Sequence, residues 1–183
     1  QVLAELGAGE STADYFGKDR YRYLATSSEG HSVPCVESLE QQAGSACGAF
    51  DCSRVSAGIL KKDIGLSYGL EEGSLIRTVK AELPTVEITD TLEKHQEYAL
   101  KERLISFIEP GICENTASFA VKEGRVEVSF TNCGQISCKR LSYNAHDGKE
   151  TPFYCITAQK KDGAKYAAIR IKHIVHKFEP FLI

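Results

Sequence analysis

No stretch of these 183 residues approaches the roughly 18 consecutive apolar residues of a membrane helix, so no membrane span is expected. Methionine and tryptophan are missing altogether. A nascent chain starts with Met, so its absence predicts a processed product, with Gln1 as the new N-terminus, or a fragment of something larger. Residues 1–20 carry Glu5, Glu10, Asp14, Lys18, Asp19 and Arg20 without an apolar core, which excludes a retained signal peptide. The expectation is a mature secreted, extracellular protein. No Asn-x-Ser/Thr occurs, because Asn115, Asn132 and Asn144 are followed by Thr-Ala, Cys-Gly and Ala-His; no N-linked glycan is expected. Gly7-Ala8-Gly9-Glu10 precedes no strand-to-helix unit, and no Gly-x-Ser-x-Gly elbow exists. Nucleotide cradling and α/β-hydrolase chemistry are thereby excluded, and no cofactor is expected.

What is present describes a folded chain. Apolar residues make up 42% and charged residues 26%, too mixed for a disordered tail. The length suits one domain or two small ones. Pro84 marks a candidate boundary between an N-terminal β-rich subdomain (1–84) and a helix plus antiparallel meander (85–183), one continuous domain being the alternative. Charge differs across it: the first part nets −4 and the second +1.

Seven cysteines occur: Cys35, Cys47, Cys52, Cys113, Cys133, Cys138 and Cys155. They support secretion and predict three intramolecular disulfides with one thiol left; Cys35 is the first candidate to lack a local partner, being either free or bridged to a distant strand. If residues 34–46 form one helix, Cys35 and Cys47 lie about 18 Å apart and cannot bridge each other. Zinc is disfavoured because no Cys-x-x-Cys knuckle exists, and no metal site is expected.

The patterning predicts an α+β, β-rich fold: an antiparallel meander or sandwich with one well-defined helix and one shorter helix. Residues 1–19 read as a loosely held arm, and Arg20 to Ala25 alternates charge and ring like a strand. Pro34 opens the shorter helix, whose face carries Cys35, Leu39, Ala43 and Cys47. Strands follow over 55–60, 64–70 and 74–83, with Lys61-Lys62-Asp63 and Glu71-Glu72-Gly73 as turns. Leu92, Ala99, Leu100, Leu104, Phe107 and Ile108 make a helical stripe capped by Asp90, predicting a helix over about 91–107. Strands are expected over 117–122, 125–130, 136–143, 151–159 and 166–175. Glu123-Gly124, Asp147-Gly148 and Asp162-Gly163 are their turns. Val126, Val128 and Phe130 face one way and Arg125, Glu127 and Ser129 the other.

Three constellations bear on chemistry. Gln41-Gln42-Ala43-Gly44-Ser45-Ala46-Cys47-Gly48-Ala49-Phe50 resembles the segment around the nucleophile of papain-like cysteine proteases, with Gln41 six residues before Cys47. The resemblance would make Cys47 a nucleophile and Gln41 an oxyanion donor. Gly48 stands where the family has an aromatic residue, and no Asn follows His173 or His176. His95 precedes Asn115 but comes too soon after Cys47, so the catalytic set is incomplete and no catalytic residue is assigned. His31, His95, His146, His173 and His176 are scattered, and the odd spacing of His173 and His176 places them on opposite faces of a strand. Finally, residues 139–177 net +6. Lys139, Arg140, Arg170 and Lys172 are the candidate anion-binding face, with Tyr166 beside Arg170 and Lys172.

Together these features predict a secreted disulfide-containing binding protein. Its format is similar to small pathogen effectors that bind or inhibit a host protein. A host receptor or protease is the expected partner, and a polyanion is the other candidate. The alternative is a small secreted nuclease-like hydrolase using a histidine with a Glu such as Glu127 as an acid–base pair.

Overall fold

The computed structural model describes residues 1–36, 50–51, 54–56, 59–66, 75–94 and 97–175. Among the described residues, thirteen strands build two antiparallel sheets. The smaller has the order β1 (Cys35–Val36), β7 (Leu100–Ser106), β12 (Glu150–Lys160), β11 (Cys133–Asn144). The larger runs β2 (Phe50–Asp51), β4 (Ile59–Leu66), β5 (Leu75–Glu82), β6 (Thr85–Leu92), β13 (Ala167–Val175), β10 (Gly124–Thr131), β9 (Thr116–Val121), β8 (Gly111–Cys113). β3 (Arg54–Ser56) pairs with β4 beside β2.

The sheets stack face to face over one apolar core. The larger sheet contributes Leu75, Leu92, Ala117, Phe119, Val128, Phe130, Ala167 and Ile169. The smaller contributes Val36, Leu100, Leu104, Cys133, Ile136, Ile156 and Ala158. On β10 the expected alternation is present: Val128 and Phe130 are buried, and Arg125 is exposed. Truncating a fully buried ring such as Phe119 to Ala costs about 3–5 kcal/mol.

The helical part of the expectation is overturned. Among the described residues the only helical segments are three 3-10 turns of three residues each: Arg20–Arg22, Leu24–Thr26 and Ser28–Gly30. The span expected to be a helix over 91–107 holds the end of β6 and all of β7. Leu100 and Leu104 are four apart, which fits one face of a helix and equally one face of a strand. The residue between them, Glu102, is fully buried on the same face. Its charge hid the period-2 pattern. The shorter helix expected over 34–46 does not begin at Pro34, because Cys35 and Val36 pair with Lys101 and Leu100 as a strand. Residues 37–46 lie outside those described.

Smaller expectations change too. Lys61-Lys62-Asp63 is strand interior within β4. Arg20 to Ala25 forms tight turns. The turn at Asp162-Gly163 carries the chain from one sheet to the other, so β12 and β13 are no hairpin. Leu83-Pro84, the candidate boundary, is the two-residue link between β5 and β6, which pair along their length in one sheet.

A buried charge cluster ties the sheets together. Arg77 and Asp90 are register partners on β5 and β6. The guanidinium grips the carboxylate with two groups, Nε to Oδ1 at 2.8 Å and Nη2 to Oδ2 at 2.6 Å. From the opposing sheet, Glu102 Oε2 lies 3.4 Å from the same Nη2. Such bidentate geometry is what makes an interior ion pair tolerable. Burial and then the Asp90 charge push the Glu102 carboxyl well above the usual glutamate range, and Arg77 only partly opposes them.

Candidate anion-binding groove

The N-terminal residues build the site by bridging to the edge of β7 at Ala4 and then covering the outer face of the smaller sheet with Leu6 and Ala25. They are not loose. The Ala4 amide donates to the Ile105 carbonyl at 2.9 Å, and Ser106 Oγ donates to the Val2 carbonyl at 2.7 Å. Ser32 Oγ accepts from the Ile105 amide and donates to the Ala4 carbonyl, both at 3.1 Å. The Tyr143 hydroxyl donates to the Leu6 carbonyl, and burial followed by the Asp147 charge pushes the phenol above its usual range. Leu6 and Ala25 then bury Ile105 and Phe153 in a second apolar cluster. At Gly30 the backbone runs so close to the Leu24 carbonyl that a Cβ would sit 2.2 Å from that oxygen.

Where this arm ends its cover, a groove of about 200 Å³ opens. Strand alternation selects its floor. Arg103 faces Thr157 and Lys139 faces Cys155 across the ladders, so all four side chains share the outer face with Lys101 and Leu141. The arm supplies Leu24 and Glu29 as the other wall. Arg103 is held by its Nη1 donating to the Ser28 carbonyl at 2.9 Å. Among the described residues, Lys101, Arg103 and Lys139 form no ion pair, so three cations converge against one carboxylate, Glu29. Such a surface concentrates anions. A neighbouring cleft shares Leu24 and Leu141 and is lined by Arg140, Ser142, Glu150 and Pro152.

The four cations singled out in the sequence lie on two different sheets. Lys139 lines the groove, and Arg140 lines the adjoining cleft. Arg170 and Lys172 sit on β13 in the larger sheet, where Arg170 Nε lies 3.6 Å from Glu87 and Lys172 faces Glu127 in register. Lys101 and Arg103 were missed because they fall in the span read as a helix.

The cysteines do not form the expected framework. Cys113, Cys133, Cys138 and Cys155 carry no disulfide, which leaves too few for three bridges. Cys138 pairs across the ladder with Ile156, and Cys155 with Lys139, so their side chains leave opposite faces of the sheet. Cys113 sits on β8 at the edge of the other sheet. Burial, reinforced by Glu102, pushes the Cys133 thiol up to about 12, and burial also raises Cys138 and Cys155. Thiols held neutral in this way are poor nucleophiles. Cys35 is half-buried on β1; Cys47 and Cys52 lie outside the described residues, as does most of the papain-like segment. Of the histidines, His31 Nδ1 contacts Glu5 Oε2, His146 Nδ1 lies 3.1 Å from Ser11 Oγ, and His173 is exposed on β13. His95 and His176 lie outside the described residues. Glu127 is engaged with Arg125 at 2.7 Å. No helix among the described residues is long and apolar enough to cross a membrane.

No family model and no curated protein sequence matches the chain. Solved structures do resemble it. A heparinase III superposes with a TM-score of 0.71 at 9% identity, over 93% of this chain and 27% of its own. A second heparinase III gives 0.68 at 13% identity, over 95% and 28%. The heparan sulfate lyase HepC from Pedobacter heparinus gives 0.69 at 10% identity, over 96% and 29%. At such identities the likeness is one of fold: nearly all of this chain matches a β-sandwich portion of larger proteins. The chain spans less than a third of the length of each.

Proposed function

We propose that this chain is a β-sandwich module that binds an anionic polysaccharide, and that the groove of Lys101, Arg103 and Lys139 holds the polymer's acidic groups. The observation that carries the reading is the convergence, on one walled surface, of three cations that form no ion pair among the described residues. An acidic polysaccharide is the polymer class this reading takes, supported by the names heparinase and heparan sulfate lyase that the similar structures bear. A guanidinium presents a planar fork to a carboxylate or sulfate, and the flanking ammonium groups add unoriented charge. The proposed role is binding, and bond cleavage is not assigned to these residues. Neither the effector-like nor the nuclease-like expectation gains support from the fold or the site.

The test is a calorimetric titration of the chain with heparan sulfate, with a non-sulfated polyuronate and with a neutral glucan. Binding of one or both acidic polymers, weakening as salt is raised, is expected. Equal binding of the neutral glucan, or no binding of either acidic polymer at low salt, would refute the proposal.

A further inference from the structure

The arm carries a second feature, one residue along the chain from Leu24 of the groove wall. Tyr15 and Phe16 pack edge to face, ring centres 5.1 Å apart and planes at 84°, and Tyr23 packs on Tyr15 at 5.5 Å. The cluster is pinned by polar contacts. The Gly9 amide donates to the Tyr15 hydroxyl at 3.1 Å, and the Tyr15 amide donates to Thr12 Oγ1 at 3.2 Å. Thr12 Oγ1 also lies 3.3 Å from the Tyr23 hydroxyl. Braced against Tyr15, Phe16 is 71% exposed; Tyr21, outside that cluster, is 49% exposed. The Arg20 guanidinium lies 5.2 Å over the Tyr21 ring. Leu24, the next residue after Tyr23, lines the groove and its neighbouring cleft.

Resting on the groove reading, we propose that Phe16, Tyr21 and Arg20 form a sugar-ring subsite that extends the groove along the same polysaccharide. A pyranose ring has an apolar C–H face and, in an acidic glycan, a carboxylate or sulfate at its rim. An exposed ring with a guanidinium beside it matches both parts. A ring already fixed by its neighbours, as Phe16 is by Tyr15, loses little conformational freedom on binding, as with the aromatic anchors of antibody paratopes. Single-stranded nucleic acid also stacks on rings beside cations. The glycan is favoured here because the fold neighbours are named for an acidic glycan.

The experiment is calorimetric titration of the whole chain with heparan sulfate disaccharide and octasaccharide, using wild type, Phe16→Leu, Tyr21→Leu, Tyr21→Phe and Lys139→Gln. Loss of either ring should weaken octasaccharide binding about two- to tenfold, the range expected of one aromatic contact. Tyr21→Phe should retain the affinity, because the ring is kept. Disaccharide binding should respond to Lys139→Gln and not to the ring variants. If octasaccharide binding falls with Lys139→Gln but ignores Phe16→Leu and Tyr21→Leu, the subsite is refuted and the groove stands. Absence of octasaccharide binding to wild type would refute both. Tighter, ring-dependent binding of single-stranded RNA than of the octasaccharide would also overturn the assignment.

Discussion

Arg103 reaches from β7 to the main-chain carbonyl of Ser28, donating through Nη1 at 2.9 Å. One side chain thus fastens the arm and presents a guanidinium to the groove. Arg103→Lys keeps the charge and loses the fork; Arg103→Gln loses the charge. A hydrogen bond from a charged donor contributes about 1.5–3 kcal/mol when intact. Both variants should unfold at lower temperature by differential scanning calorimetry. Only Arg103→Gln should also lose most of the salt-sensitive glycan affinity.

Glu102 makes stability depend on pH. Folding raises its pKa, so the folded protein keeps a proton that the unfolded chain gives up above about pH 4.3. The stability this group contributes is fully present below that pH and is lost as pH rises through the raised folded value. The limiting slope is about 1.4 kcal/mol per pH unit. Glu102→Gln mimics the neutral form, so denaturant titrations should show the variant matching wild type in acid and exceeding it at pH 8. Asp90→Ala behaves oppositely. It removes the bidentate partner of the Arg77 guanidinium and leaves Glu102, 3.4 Å away, as the carboxyl beside it, so a loss near the lower end of about 3–5 kcal/mol is expected.

Gly30 tests whether the arm is part of the fold. Its hydrogen is replaced by a methyl in Gly30→Ala, and that methyl would collide with the Leu24 carbonyl at 2.2 Å. The turns over residues 20–30 must then shift, pulling Leu6 and Ala25 from Ile105 and Phe153. Limited proteolysis should cut residues 1–32 faster in the variant, with a stability loss of about 1–3 kcal/mol.

The unbridged thiols give a simple chemical check. Cys113 and Cys138 are exposed, and Cys133 is buried with its thiol raised to about 12. In the native protein, thiol labelling should reach Cys113 and Cys138 first and Cys133 only on unfolding. Protection of Cys113 and Cys138 that disappears on adding reductant would restore the disulfide framework and contradict the structure.

Much of the second half was legible because its turns carry their own chemistry. Gly148 takes a positive φ of +75° where Asp147-Gly148 turns the β11–β12 hairpin; the β9–β10 hairpin turns at Lys122-Glu123, one residue ahead of the expected Glu123-Gly124, with Gly124 (φ +148°) opening β10 opposite Val121. Gly163 also has φ +75°, yet its turn joins two sheets. Turn chemistry sets the local bend and not the sheet in which the next strand pairs. The β7 span misled for a long-range reason: Glu102 faces the core, where its neighbours are Arg77, 25 residues earlier and 3.4 Å away, and Asp90. The groove shared that fate. Lys139 belongs to a visible basic segment, but Lys101 and Arg103 join it only when β12 pairs with β7 on one side and β11 on the other. The cysteine count was equally uninformative about pairing, because the strand register decides which face each thiol leaves.

The most direct test of the central claim is the heparan sulfate affinity of Lys101→Gln/Lys139→Gln against wild type across a salt series. Arg170→Gln/Lys172→Gln, on the other sheet, serves as the control. The expected result is a large loss and a shallower salt dependence for the groove variant, with the control close to wild type. Equal losses for the two double variants would mean diffuse attraction to any cation and would contradict a groove-centred site.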